Sequence, residues 1–230
     1  MTRLVLFTIC WLGLFTQFNA QAAWATGKTK VGVISKLSQA DFQKNLAPTF
    51  ESKCTQCEIV NLTAYDSNGN ALKEKIWPTL NTALDEYAIV MVDYNEKLTP
   101  ENQGIAQEIS KKLVGDKLLI ASTGESSPGE PTWPLKKSFM GHVPQALIIG
   151  QLTERERLLP SLFYGPEMLT ALRLPRDMEE KGMGAAHFFL ARFLGVFKQR
   201  EPQEWVSYLR NLRANHRKLW PDLGDFFGSR

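Results

Sequence analysis

The chain has 230 residues, 43% of them hydrophobic, with 27 basic against 24 acidic side chains and a formal net charge of +3. So small a charge, on basic residues scattered through the chain, argues against nucleic acid and against a strongly anionic membrane surface as partners. At the amino terminus Arg3 is followed by "LVLFTICWLGLF", an apolar run too short to span a bilayer comfortably. "AQA" (20–22) and "AWA" (23–25) both offer the small-x-small pattern of a signal-peptidase site. Residues 1–25 are therefore predicted to be a cleaved secretory signal peptide, with the mature chain starting near Ala23 or Thr26 and exported to a secreted or periplasmic location. Cys10 lies inside the apolar run behind Ile9, which speaks against a lipoprotein anchor, and no later stretch qualifies as a stable membrane span.

What remains is long enough for one domain with a sizeable core, expected over 26–200. Five short runs rich in Val, Ile and Leu punctuate it: "KVGVI" (30–34), "EIVNL" (58–62), "AIVMV" (88–92), "KLLIA" (117–121) and "QALIIG" (145–150). None alternates cleanly between apolar and polar, which suits parallel strands buried on both faces. Helical patterns lie between them. "ALKEKIWPTLNTALDEY" puts Leu72, Ile76, Leu80, Ala83 and Tyr87 on one stripe, with Pro78 expected to kink or interrupt it. "TPENQGIAQEISKKLVG" offers Thr99 as N-cap, Pro100 at the first helical position and Gly115 at the stop. Strand-helix alternation of this kind predicts a three-layer α/β/α fold on a mainly parallel sheet. Residues 201–230 carry an amphipathic helix and tail, with Trp205, Leu209 and Leu212 on its apolar side.

Two cysteines lie beyond the signal segment, Cys54 and Cys57 in "CTQC". A redox C-x-x-C needs a strand before it and a helix starting on its first Cys. Here a strand follows, so a structural disulfide or a pair of free thiols fits better. Zinc would need two further ligands nearby and none is visible, so no metal is expected. Nothing in the pattern calls for a cofactor.

Taken in order, these pieces resemble the subtilisin-like serine protease (subtilase) family. "KVGVISKL" is similar to the strand V-A-V-I-D-[ST]-G, which carries the family's catalytic Asp. "CEIVNLTAYDSNGNALKEKIWPTLNTALDEYAIVMVDYNE" resembles the following strand, D-S-N-G turn, helix and V-I-N-M-S-L-G strand. "KLLIASTGESSP" is similar to V-V-V-A-A-A-G-N-S, whose Asn is the oxyanion donor. "VPQALIIGQLTERERLLPSLFYGPEMLTA" resembles Y-P-S-V-I-A-V-G-A, then A-S-F-S-N-Y-G-P and an Asp/Ala-rich turn. "GMGAAHFFLARFLGV" lines up without a gap on G-T-S-M-A-A-P-H-V-A-G-A-A-A-L, the nucleophile helix. The strength lies in the order of several weak matches over about residues 29–197.

The resemblance implies a serine endopeptidase fold without its chemistry. A Ser-His-Asp triad needs an activatable hydroxyl, an imidazole in reach of it and a carboxylate orienting that imidazole. This chain has Ser35 at the Asp position, Gly184 at the Ser position and Glu125 at the oxyanion Asn. A carboxylate there repels the developing oxyanion that a donor would stabilise by about 3 kcal/mol. The family's H-G-T-H-V-A-G helix is replaced by "SQADFQKNLAPTFESKCTQ", which contains no His. Of the three histidines, His187 is expected to be packed or at a rim. His142 and His216 have no evident partner, and Ser122, Thr123, Ser126 and Ser127 form no nucleophile elbow. Asp93, Tyr94 and Asn95, with Gly124, match the segments that pair with extended substrate, so a peptide or protein partner is the expected ligand. The alternatives are an active hydrolase with a non-standard site and a periplasmic small-molecule binding protein of two α/β lobes.

Overall fold

The computed structural model describes residues 29–197 other than 115–116, 126–132, 156 and 158–161. The signal segment 1–25, the helix expected over 201–230, Gly115, Ser126, Ser127 and His216 lie outside the described residues. Strand β1 is Thr29–Ile34, β2 Cys57–Asn61, β3 Ile89–Val92, β4 Leu118–Ser122, β5 Leu147–Leu152 and β6 Met168–Arg173. They form one sheet in the order β2-β1-β3-β4-β5-β6, parallel at every pairing. The first five correspond to the five apolar runs. The sixth, "MLTALR", falls where the sequence suggested a turn. It holds Thr170 as its single β-branched residue, so its strand state comes from pairing with β5 rather than from propensity.

The missing alternation has its cause in the two covered faces. Val31, Val33, Ile89, Met91, Leu118, Ile120, Leu147 and Ile149 belong to one core, and Ile34, Val90, Val92, Leu119, Ala121 and Ile148 to the other. The first core is closed by a helical segment over 39–51 (α1), which contributes Phe42, Leu46 and Phe50, and by helix Ala185–Phe197 (α5) with Phe189, Leu190, Phe193 and Leu194. The second is closed by α2 (Ile76–Glu86) with Ile76, Trp77, Leu80 and Leu84, and by α3 (Pro100–Lys112) with Ala106 and Ile109. Helices on both faces of a parallel sheet make the three-layer α/β/α arrangement.

Pro78 neither kinks nor interrupts α2. The helix begins at Ile76, behind a 3-10 turn at Lys73–Lys75, so Pro78 stands in the first turn where an N–H has no intrahelical partner to lose. The stripe is also wider than the sequence suggested, since Trp77 and Leu84 are buried while Leu72 and Tyr87 are only partly so. Helix α3 starts as expected. Thr99 Oγ1 accepts from the Asn102 N–H, Asn102 returns the bond to the Thr99 N–H at 2.8 Å, and Pro100 follows the cap. Cys54 and Cys57 are joined by a disulfide at the turn between α1 and β2.

Candidate functional site

The sheet order places β1 between β2 and β3, so the chain leaves β1 in one direction and later builds outward in the other. In such sheets ligands gather in the crevice outside the carboxyl ends of the strands at this reversal. Ser35 directly follows β1 and Asp93 directly follows β3, and the Asp93 N–H donates to the Ile34 carbonyl at 2.8 Å. Over these strand ends lies the amino-terminal end of α5, approached through a short helix Arg176–Glu180 (α4).

That approach accounts for the Gly and Ala residues ahead of α5. Gly182 has φ +71°, its N–H donates to the Glu179 carbonyl (2.9 Å), and the Met183 N–H donates to the Met178 carbonyl (3.0 Å). This is the Schellman arrangement, which ends α4 with a left-handed glycine. Gly184 comes immediately before the first residue of α5, and its carbonyl accepts from the Phe188 N–H at 3.2 Å. Three residues on, His187 reaches back, and its Nδ1 accepts from the Gly184 N–H at 2.9 Å. His187 thus fills the capping role usually taken by Glu or Gln at that position.

The cap fixes the state of the imidazole. With Nδ1 accepting, the neutral ring carries its proton on Nε2. Nε2 lies 3.3 Å from Ser35 Oγ and 3.7 Å from Asp93 Oδ2. His187 and Ser35 are 0% exposed and Asp93 3%. Burial lowers the pKa of His187, Asp93 pulls it back up, and Lys36 adds a smaller lowering, so the net direction is down. Ser35 is held on other sides as well, by Thr63 Oγ1 accepting its N–H (2.9 Å) and by the Leu37 N–H donating to its Oγ (3.2 Å).

Above this buried group sits a cavity of about 170 Å³, whose lining includes Lys36, Asp93, Ser122, Glu125, Gln151 and Gly184. Gly184 and Glu125 are therefore brought to one place, with Ser35 beneath it. Glu125 is half exposed and faces Lys36 Nζ at 3.8 Å. Tyr94 and Asn95 also line the cavity. Asn95 is fully engaged: its Nδ2 donates to the Thr123 carbonyl (2.8 Å) and Ser138 Oγ (3.0 Å), and its Oδ1 accepts from the N–H groups of Glu96 and Met140. Tyr94 Oη donates to Glu96 Oε2 at 2.8 Å, and burial followed by this bond raises the phenol pKa, keeping it a neutral donor. Gly124 has φ +77° and lies so close to the Asn95 backbone that a Cβ would stand 2.6 Å from the Asn95 carbonyl oxygen. Its own carbonyl accepts from the Phe163 N–H, so that edge is already paired within the protein. Thr123 is buried, and His142 is exposed with Nδ1 against the Ser138 carbonyl, away from this group. Among the described residues no cluster of His, Cys, Asp and Glu could hold a metal ion.

Sequence reasoning missed that Asp93 and His187 meet. They are far apart in the chain, on a strand end and a helix start, and no local pattern joins them. The one available signal was the family likeness, which sets the ends of β1 and β3 side by side under the start of α5.

Among solved structures, the crystal structure of a lanthipeptide protease matches over 83% of this chain and 81% of its own, with a TM-score of 0.53 and 12% identity. The chain has a subtilisin-like fold. A cold adapted subtilisin-like serine proteinase matches over 81% of this chain and 78% of its own, with a TM-score of 0.49 and 8% identity. No family model matches the chain, and no curated protein matches it in sequence.

Proposed function

We propose that this protein is a secreted or periplasmic pseudoprotease, one that holds an extended peptide or protein segment at the strand ends without cleaving it. The observation that carries this is the pairing of Gly184 with His187. The residue at the start of α5 has no side chain to attack with, and the nearby imidazole spends its Nδ1 lone pair on the Gly184 N–H. A general base needs a free lone pair directed at the nucleophile's proton. Glu125, where the resemblance calls for an oxyanion donor, is a carboxylate paired with Lys36. Export rests on the pattern of residues 1–25, and no helix among the described residues is long and apolar enough to cross a membrane. Peptide binding rests on the 93–95 segment, which is pinned by the Asn95 side chain and lines the cavity. A preorganised segment of this kind gives an added strand little ordering cost.

A second function has one observation in its favour, the 3.3 Å approach of Ser35 Oγ to His187 Nε2 with Asp93 nearby. Both Ser35 and His187 are fully buried, and the Nε2 that faces Ser35 carries the proton instead of accepting one. A periplasmic small-molecule binding protein of two lobes is disfavoured by the single six-stranded sheet among the described residues. Incubation of the purified chain with labelled casein separates the first two. No cleavage is expected from wild type or from Gly184→Ser, since the base would still be occupied. Robust cleavage by wild type that disappears in Ser35→Ala would overturn the proposal.

A further inference from the structure

We infer that the cavity over Gly184 receives a primary ammonium group, with Asp93 as its counter-charge. Where a peptide carries that ammonium, the inference rests on the peptide-binding function proposed above. The starting point is an under-partnered buried carboxylate. Asp93 is 3% exposed, its Oδ2 has no hydrogen-bond partner, and His187 Nε2, at 3.7 Å, stands beyond hydrogen-bond distance. Leaving such a group unmatched away from water is strongly unfavourable, so its surroundings are incomplete without a donor. The second observation is the shape of the space beside it. A Cβ on Gly184 would stand 3.4 Å from Asp93 Oδ1, and both residues line the cavity of about 170 Å³. The missing side chain opens the approach to Oδ1, the second oxygen of the carboxylate whose Oδ2 has no partner.

The chemistry selects the ligand. Lys36 faces Glu125 at the rim and Lys73 also lines the cavity, but neither lysine is within ion-pair distance of Asp93 on the wall. An ammonium supplies three donors and no acceptor, and its bond to a carboxylate is charge-assisted. Ser122 and Gln151 add neutral oxygens to the same lining. A volume of 170 Å³ admits one aliphatic chain ending in an ammonium. A lysine side chain and a peptide's amino terminus share this chemistry.

The test uses the full chain with n-butylammonium chloride, 1-butanol and sodium chloride at matched ionic strength, read by calorimetric titration and by the shift of the thermal midpoint. Saturable binding of n-butylammonium is expected, with about tenfold weaker binding of 1-butanol. Asp93→Asn should lose that preference. Gly184→Ala, whose methyl makes only an ordinary contact, should fold and weaken n-butylammonium binding about fivefold or more by filling the approach. The Ala variant decides the matter alone if Asp93→Asn does not fold. Equal binding of butanol, an identical shift with sodium chloride, or unchanged affinity in Gly184→Ala would overturn the inference. Three extended peptides then find the source: one with an acetylated amino terminus and a lysine, one with a free amino terminus and no lysine, and one with neither. Binding of n-butylammonium with none of the peptides bound overturns the peptide-binding function and leaves the ammonium site standing. Equal binding of all three peptides without n-butylammonium binding does the reverse.

Discussion

His187 shows how much one residue can depend on its neighbours. A histidine in an apolar run has two ordinary fates, packing and capping, and here it has both. Its Nδ1 caps the Gly184 N–H while the ring is wholly buried. The sequence pattern left packing and a rim position both open, and the structure places the ring in the core. The pattern gave no sign of the cap, which needs the ring turned back toward Gly184, or of the approach to Asp93. A pH dependence follows from the burial. The folded ring has a pKa below the unfolded value of about 6.5, so below that pH the unfolded chain binds a proton that the folded chain resists. The associated stability is present above about pH 6.5 and is lost progressively as the pH falls beneath it. Urea midpoints at pH 7.5, 6.5 and 5.5 should decline in that order, and His187→Asn, which keeps an acceptor for Gly184, should flatten the decline. A midpoint independent of pH in wild type would contradict a buried neutral ring.

At the scale of elements, the Gly and Ala residues before α5 divide into separate tasks. Gly182 ends α4 in a left-handed conformation, while Gly184 stands at the helix start and leaves space against Asp93. Only the first is a backbone requirement. Gly182→Ala puts a Cβ into the left-handed region at a cost of about 1–2 kcal/mol, which a lowered urea midpoint with unchanged slope would register. No loss of stability would mean that the Schellman turn is not what fixes the approach to α5. The elements themselves were largely legible, because Thr99, Pro100 and Asn102 form a local capping signal and the five apolar runs are rich in Val, Ile and Leu. Strand β6 was not, since Met, Leu, Ala and Arg are residues that a helix accepts equally well. Pro78 misled for a related reason, because its effect depends on where the helix begins.

For the molecule as a whole, the three-layer arrangement follows from a physical necessity that a single sequence already expresses. Strands apolar on both faces must be covered on both faces, and the aromatic side chains of α1 and α5 and the aliphatic stripe of α2 supply the cover. That logic carries a reader to a parallel sheet with a site at its carboxyl edge. It does not say what the site does, because function there turns on which atoms face each other across long sequence separations. Gly184, His187, Ser35 and Asp93 meet only once the sheet is assembled. The central claim is that this edge has the shelter of a protease site without an activated nucleophile. A fluorophosphonate probe tests it most directly, with the intact mass of the purified chain read after labelling beside an active serine protease as control. The predicted result is an unchanged mass for this protein and full labelling of the control. A stoichiometric adduct mapped to one hydroxyl, Ser35 above all, would contradict the account.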